Sequence, residues 1–258
     1  MEGDTEEYYD EVDEQEFQQI NSARQTAESA AEETNDIIVF DFGTQTCKAG
    51  FWSSEFPDAV VPSLLGFPKE VEDNSGTTEI YLGTEAYKKC STLNLRYPIE
   101  YGCVVDWDEF EELYQYILFN ALEIEEDVSG TSLIFTEPVF TPKANRNKLA
   151  ELVFENFGFH QMMSIPQAFS TMVAEGNTTG LVIDLGESST SVVPIFDSKI
   201  LNTSISRLDI GGRTLNSFLI RMLKNKLAFL TSYEKEIARF IKEETCFIQP
   251  NRDFFKNK

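Results

Sequence analysis

Short apolar runs and amphipathic stretches alternate along the chain from residue 37 onward. The run IIVFDF at 37–42 is rich in β-branched and aromatic residues, which predicts a buried strand. Further strands are predicted at 46–52 and 132–138, and a strand–turn–strand unit at 180–196. Apolar residues at helical spacing predict helices at 108–124, 143–158, 165–176, 213–227 and 233–248. Strands that alternate with helices in this way indicate the α/β class.

The helix predicted at 108–124 has the clearest apolar face. That face carries Phe110, Leu113, Tyr114, Ile117 and Leu118. Gly158 is expected to stop the helix that begins at 143, because glycine accepts the left-handed conformation that follows many helices.

Acidic residues are concentrated in the first part of the chain. The 258 residues include 21 Lys and Arg against 44 Asp and Glu, a net charge of −23. Residues 1–36 hold 13 of the acidic residues and one basic residue, Arg24. The same segment has few large apolar side chains, and these cannot bury enough surface to offset the entropy lost on ordering. We therefore predict a disordered acidic tail over 1–36. It is either a solvated tail or an arm for a basic partner.

The composition argues against several functional classes. A chain this acidic lacks the basic footprint of a protein that reads nucleic-acid sequence directly. No apolar run approaches the ~20 residues that a membrane helix needs, so no membrane partner is expected. The single histidine, His160, and four cysteines without a C-x-x-C pair argue against a zinc site and a histidine-dependent catalytic triad.

Two segments of the chain echo each other. IIVFDFGTQTCKAGFW at 37–52 and LVIDLGESSTSVVPIF at 181–196 each have an apolar strand ending in Asp, then Gly, a turn with Ser or Thr, and another strand. A tight turn between strands directs backbone N–H groups into one concavity that suits an anion. The aspartate at the strand end can hold a hydrated Mg²⁺. The pair, at Asp41 and Asp184, therefore predicts two related half-domains that grip a nucleotide tail.

Longer motifs in one order resemble the actin and actin-related protein family. They run from about residue 36 to about residue 248 and read DFGTQTCKAGF, LRYPIEYGCVVDWDEFEELY, TEPVFTPKANRNKLAELVFENF, IPQAFSTMVAEGNTTGLVIDLG and RLDIGGRTLNSFL. The resemblance implies an α/β actin-like ATPase fold, of ribonuclease-H-like type, with two related half-domains. We predict the first at 37–165, with an inserted small subdomain at about 63–98, and the start of the second at 166–258.

The resemblance also implies a site for ATP or ADP with Mg²⁺ or Ca²⁺. By motif position, two loops would surround the phosphates: Asp41, Gly43, Thr44, Gln45, Thr46 and Lys48 in the first, and Gly186, Glu187, Ser188 and Thr190 in the second. The ribose and base would be contacted by Gly212, Arg239, Lys242 and Glu243.

The implied catalytic residues are Gln167 and Asp184. Gln167 matches the glutamine that positions the hydrolytic water, and Asp184 matches the aspartate that organises metal and water. Asp41 and Asp184 would hold the metal through water molecules.

The chain departs from the family pattern at both loops. Phe42 stands in place of a polar residue, and Gln45 replaces a glycine, where it would crowd the β-phosphate region. Glu187 and Ser188 replace an Asp-Gly pair, and Ser191 replaces the histidine that assists hydrolysis. These changes predict that ATP binding persists while hydrolysis is weak or absent.

Two functions of different classes follow from the resemblance. The first is an ATP-binding cytoskeletal or assembly subunit in the cytoplasm, a slow ATPase if active, whose partners are other actin-family or complex subunits. The second is a non-enzymatic scaffold subunit of a chromatin-remodelling or dynein-associated type of complex, with the nucleus as the alternative location. The filament-contact loop, at about 68–79, is poor in apolar residues, so an actin-type contact is expected to be weakened.

The second half-domain is expected to be truncated. No match remains after about residue 248 for the family's later adenosine loop and carboxyl-terminal helices, which leaves a fragment, an isoform or a truncated gene product as alternatives. Apolar faces without cover are therefore expected, at Phe218, Leu219, Met222 and Leu223 and at Phe110, Tyr114 and Ile117.

Overall fold

The structure, a computed structural model, describes residues 37–69, 79–124, 128–224 and 233–248. The predicted tail at 1–36 and most of the filament-contact loop at 68–79 lie outside the described residues. Strands and helices alternate in the described part, so the predicted α/β class is confirmed.

The strands within the described ranges form four sheets. In chain order they are β1 Ile37–Phe42, β2 Thr46–Phe51, β3 Ala59–Pro62, β4 Leu65–Pro68, β5 Tyr81–Leu82, β6 Leu93–Arg96, β7 Ile99–Glu100, β8 Cys103–Val104, β9 Ser132–Glu137, β10 Gln161–Pro166, β11 Gly180–Leu185, β12 Thr190–Phe196, β13 Lys199–Ile200 and β14 Ser206–Leu208. The largest sheet has five strands in the order β10-β9-β1-β2-β3, and β7 pairs only with β8.

Six α-helices are described, and two of them continue into a π-helical turn. They are α1 Gly83–Lys88, α2 Trp107–Tyr116, α3 Lys143–Glu151, α4 Gln167–Ala174, α5 Gly212–Leu223 and α6 Glu234–Thr245. The π-helical turns are Ile117–Ala121 after α2 and Leu152–Asn156 after α3, and a short 3₁₀ turn spans Asn202–Ser204.

The ends of α2 and α3 follow from their sequences. Asp106 caps α2, because its side chain accepts a hydrogen bond from the Glu109 N–H at 3.0 Å. The helical segment that begins with α3 ends just before Gly158, whose φ of 74° lies in the left-handed region that favours glycine. The predicted stop at Gly158 is thereby confirmed.

The main core lies between the five-stranded sheet and α2. Phe40 and Phe42 of β1 are buried and stack with ring centroids 5.1 Å apart, and the Tyr114 ring lies 4.9 Å from that of Phe40. The expectation of an uncovered face at Phe110, Tyr114 and Ile117 is wrong, since none of the three is more than 1% exposed. The sheet that is built from distant parts of the chain covers this face of α2.

A small three-stranded sheet lies within the range predicted for an inserted subdomain. Its order is β5-β4-β6, and α1 follows directly after β5. A separate cluster of buried Leu64, Ala86 and Leu93 packs in this region. The division of the chain into half-domains at 37–165 and 166–258 stays a prediction.

The second sheet has four strands and two unequal faces. β11, β12 and β13 follow in order, and β14 pairs with β12. Val182 and Val193 are buried against Met172 of α4, whereas Ile183 and Leu185 on the other face of β11 are exposed. Phe218 and Met222 of α5 are also exposed, as expected, whereas Leu219 and Leu223 are partly buried. Within the described ranges, no helix is both long and apolar enough to cross a bilayer.

Candidate functional site

A cavity of about 500 Å³ lies between the two echoing hairpins. The β1–β2 turn forms one wall, the β11–β12 turn forms the other, and the start of α4 lies between them. Of the predicted site residues, the cavity brings together Asp41, Gly43, Thr44, Gln45, Thr46, Lys48, Gln167, Asp184, Gly186, Glu187 and Ser188. Most of the predicted phosphate and catalytic residues therefore share one space.

The first turn is tight enough to require glycine. A Cβ at Gly43 would lie 2.4 Å from the carbonyl oxygen of Thr46. The Ser63 hydroxyl donates to the Gly43 carbonyl at 2.7 Å and the Ser63 N–H donates to the Gln45 carbonyl at 2.9 Å, so β3 and its following residue hold the turn from behind.

The second turn repeats the geometry of the first. Asp41 faces Lys48 in the β1–β2 register, and Asp184 faces Ser191 at the same spacing in the β11–β12 register. The Gly186 N–H closes the second turn by donating to the Ser189 carbonyl at 2.9 Å. The two similar sequence segments thus form two antiparallel hairpins of similar geometry.

Four backbone N–H groups at the two turns are available to a ligand. Those of Thr44, Gln45, Glu187 and Ser188 have no hydrogen-bond acceptor among the described residues, and all four residues line the cavity. An N–H group at the surface of a closed turn attracts an anion, and successive ones form an anion-binding concavity. The two turns therefore have the chemistry of a phosphate site.

Asp41 is the centre of a polar cluster on the first wall. Its carboxylate accepts hydrogen bonds from the Gln167 amide at 2.9 Å and from the Thr136 hydroxyl, and the Lys48 ammonium lies 3.6 Å away. Sequence reasoning missed Thr136, although a signal was present. Thr136 is the last residue but one of β9, which runs parallel to β1, and the register places it beside Asp41.

Asp184 lies on the opposite wall, in surroundings that disfavour its charged form. Burial, together with the nearby Asp41 carboxylate, raises the pKa of Asp184, while Lys48 acts in the opposite direction. Two facing carboxylates suit a hydrated divalent cation. Among the described residues, no group of three or more His, Cys, Asp and Glu side chains lies close enough to hold a metal ion.

The departures from the family pattern have different structural outcomes. Phe42 is buried and its ring packs in the core, 5.1 Å from that of Phe110, although the residue also lines the cavity. Gln45 reaches across to the second turn. In the amide orientation that matches the surrounding donors and acceptors, its nitrogen donates to Glu187 at 3.2 Å. The Thr44 and Ser188 hydroxyls, both buried, lie 3.0 Å apart. The substituted Gln45 of one turn thus meets the substituted Glu187 of the other.

The predicted ribose and base residues do not line the main cavity. A Cβ at Gly212 would lie 2.3 Å from a Glu187 carboxylate oxygen and 3.3 Å from the Lys242 ammonium, so these residues are neighbours beside the second turn. Burial raises the pKa of Glu187, and Lys242 opposes this shift. Thr190 also lies outside the cavity lining and donates to the Ile210 carbonyl at 2.7 Å. Arg239 and Glu243 form an ion pair at 3.8 Å on α6.

Arg207 is a second cleft residue that sequence reasoning missed. Its guanidinium donates to the Val139 carbonyl at 3.1 Å and the Tyr101 carbonyl at 3.0 Å, and it pairs with Asp209 at 3.1 Å. It therefore ties β14 to the loops after β9 and β7. No local pattern in the sequence marks this role, because its partners are backbone groups of distant segments.

A pair of echoing hairpins on facing walls of one cleft, each continued by helices, defines the actin-like ATPase fold. The model of the family described as Actin matches residues 32–257. The chain belongs to the actin family. Actin-related protein 2 of Schizosaccharomyces pombe (strain 972 / ATCC 24843) is 36% identical over 216 residues, which are 82% of this chain and 55% of that protein. The chain thus spans little more than half the length of the curated relative that it matches.

Proposed function

We propose that the protein is an actin-related subunit of a cytoskeletal or similar assembly and binds ATP or ADP with Mg²⁺ in the cleft. The observation that carries this proposal is the set of four N–H groups at the facing turns for which the described part of the chain supplies no acceptor. Relatives in the family supply the rest of the argument, since the actin fold generally binds a nucleotide together with a divalent metal. The proposed partners are other subunits of an actin-related complex, and the proposed location is the cytoskeleton of the cytoplasm.

The cleft residues would have two roles: neutralising the charge of the phosphates and orienting a water molecule. Lys48 lies on the first wall with its ammonium at the cavity, where it would neutralise phosphate oxygens. Asp41 and Asp184 would hold the waters of a divalent cation, which supplies charge neutralisation when bound. Gln167, at the start of α4, would orient a water molecule through its amide oxygen, because its amide nitrogen donates to Asp41. Ser191, opposite Asp184 in the β11–β12 register, cannot act as a histidine would. Hydrolysis should therefore be slow or absent.

The test is calorimetric titration of the full chain with Mg-ATP. Replacing Lys48 with Met removes a charge-assisted contact worth about 1.5–3 kcal/mol, so the affinity should fall by roughly tenfold to 150-fold. Lys148→Met is the matched control, because Lys148 lies on the exposed surface of α3 and pairs with Glu151 at 2.9 Å. Equal affinities of both variants, or no binding by the unmodified chain, would refute the proposed site.

A second candidate function is a scaffold subunit in which nucleotide is structural or absent. The contact between the Thr44 and Ser188 hydroxyls favours it, since this contact joins the two turns directly through groups of the protein. Absence of heat in the Mg-ATP titration, from a chain with a cooperative thermal melt, would favour the scaffold over the ATP binder.

A further inference from the structure

Several side-chain contacts cross the mouth of the cleft, on the side of the small three-stranded sheet. The Tyr97 hydroxyl donates to Glu236 at 2.9 Å, and Arg213 forms an ion pair with Glu100 at 2.9 Å. The Arg239 guanidinium lies 5.1 Å from the centre of the Tyr87 ring. On one side these residues belong to α1 and to the segment around β7, and on the other to α5 and α6.

Arg239 has the most partners of this group. With the Gln45 amide oriented so that its oxygen faces Arg239, that oxygen accepts from two guanidinium nitrogens, at 2.5 Å and 3.2 Å. The Arg239 guanidinium also pairs with Glu236 at 3.1 Å. The other end of the Gln45 amide bonds Glu187 on the second turn. Only 15% of the Arg239 side chain is exposed. The guanidinium is therefore occupied by protein groups from both sides of the cleft.

We propose that Arg239, with Gln45, is a positioning residue that holds the cleft closed when no nucleotide is bound. This goes beyond the proposed ATP binding and does not depend on it. A ligand can close a cleft only as far as it binds the closed form better than the open one. Where the protein's own hydrogen bonds and ion pairs already join the two sides, the closed form is populated without ligand, and Mg-ATP has little further closure to drive.

Two native cysteines allow this closure to be measured in the full chain. Cys90 follows α1 on one side of the mouth and is partly exposed, and Cys246 directly follows α6 on the other side and is exposed. Cys47 is buried, and burial raises the pKa of its thiol to about 12, so a spin label will not attach to it. Replacing Cys103 with Ser leaves the Cys90–Cys246 pair for double electron–electron resonance.

The label-to-label distance is recorded without nucleotide and with Mg-ATP. The parent chain should show one narrow distance distribution that Mg-ATP leaves unchanged. Arg239→Gln and Gln45→Gly should each broaden it toward longer distances without nucleotide. Arg96→Gln, which removes an exposed ion pair with Glu109 that does not cross the cleft, should not.

Thermal melts of each variant separate loss of closure from loss of fold, and Gln45→Gly keeps the test decisive if Arg239→Gln does not fold. A parent distribution that is broad without nucleotide and narrows only with Mg-ATP would overturn the proposal. So would narrow, unchanged distributions in both variants. Failure of ATP to bind, in contrast, would leave the nucleotide-free distances and this conclusion intact.

Discussion

Replacing Tyr114 with Phe should stabilise the protein. Tyr114 is fully buried in the main core, with ring contacts at 4.9 Å to Phe40 and 4.8 Å to Phe157. Its hydroxyl oxygen is buried and has no hydrogen-bond partner among the described residues. Phenylalanine keeps the ring contacts and removes only the unsatisfied group.

The size of the gain follows from the cost of the buried hydroxyl. An unsatisfied buried polar group costs about 1–3 kcal/mol, so we expect a gain of about 1–2 kcal/mol in the free energy of unfolding. For a chain of this size that corresponds to a rise of about 3–6 °C in Tm. Tyr116→Phe is the control, because Tyr116 lies on the same helix but is only partly buried, and its change should be within about 0.5 kcal/mol.

The gain should also depend on pH. Burial raises the pKa of Tyr114 well above its ordinary value. The unfolded chain loses this proton near pH ~10, whereas the folded protein keeps it. The free energy of unfolding of the Tyr114 protein is therefore unaffected by this group below about pH 10 and falls as the pH rises further. Urea unfolding should show a larger advantage of the Phe variant at about pH 11 than at about pH 7.

A lower or unchanged Tm for the Phe variant at neutral pH would refute this reasoning. It would mean that the hydroxyl has a partner, such as a buried water molecule, whose loss cancels the gain.

Two further predictions concern the cleft. Burial and Asp41 raise the pKa of Asp184, so its charged form destabilises the folded protein at a pH above the pKa of the unfolded chain. Asp184→Asn should therefore raise the nucleotide-free Tm at neutral pH while weakening Mg-ATP binding. A lower Tm would contradict this. Ser191→His, which places an imidazole opposite Asp184 in the β11–β12 register, should raise ATP turnover by up to about a hundredfold, as measured by phosphate release; an unchanged rate would show that the histidine is not what hydrolysis lacks.

The sequence by itself determined the local elements and the existence of the site. Periodicity predicted β1, α2, α3 and the two hairpins, because a strand or an amphipathic helix is encoded by neighbouring residues. The repeated Asp-x-Gly turns predicted that Asp41 and Asp184 face one cavity, as they do. The short strands β3–β8 and the strand β10 before α4 were missed, since they have little periodicity of their own.

Only the tertiary structure decided which side chains meet across the cleft. The Tyr114 face of α2 is covered by strands whose pairing joins residues about a hundred positions apart, and no local pattern contains that register. The same holds for Gln45 and Arg239, which are read from sequence as a crowding residue and a ribose contact but bond to each other in the fold. Residue type sets what a side chain can bond, whereas strand register and helix packing set which partner it has.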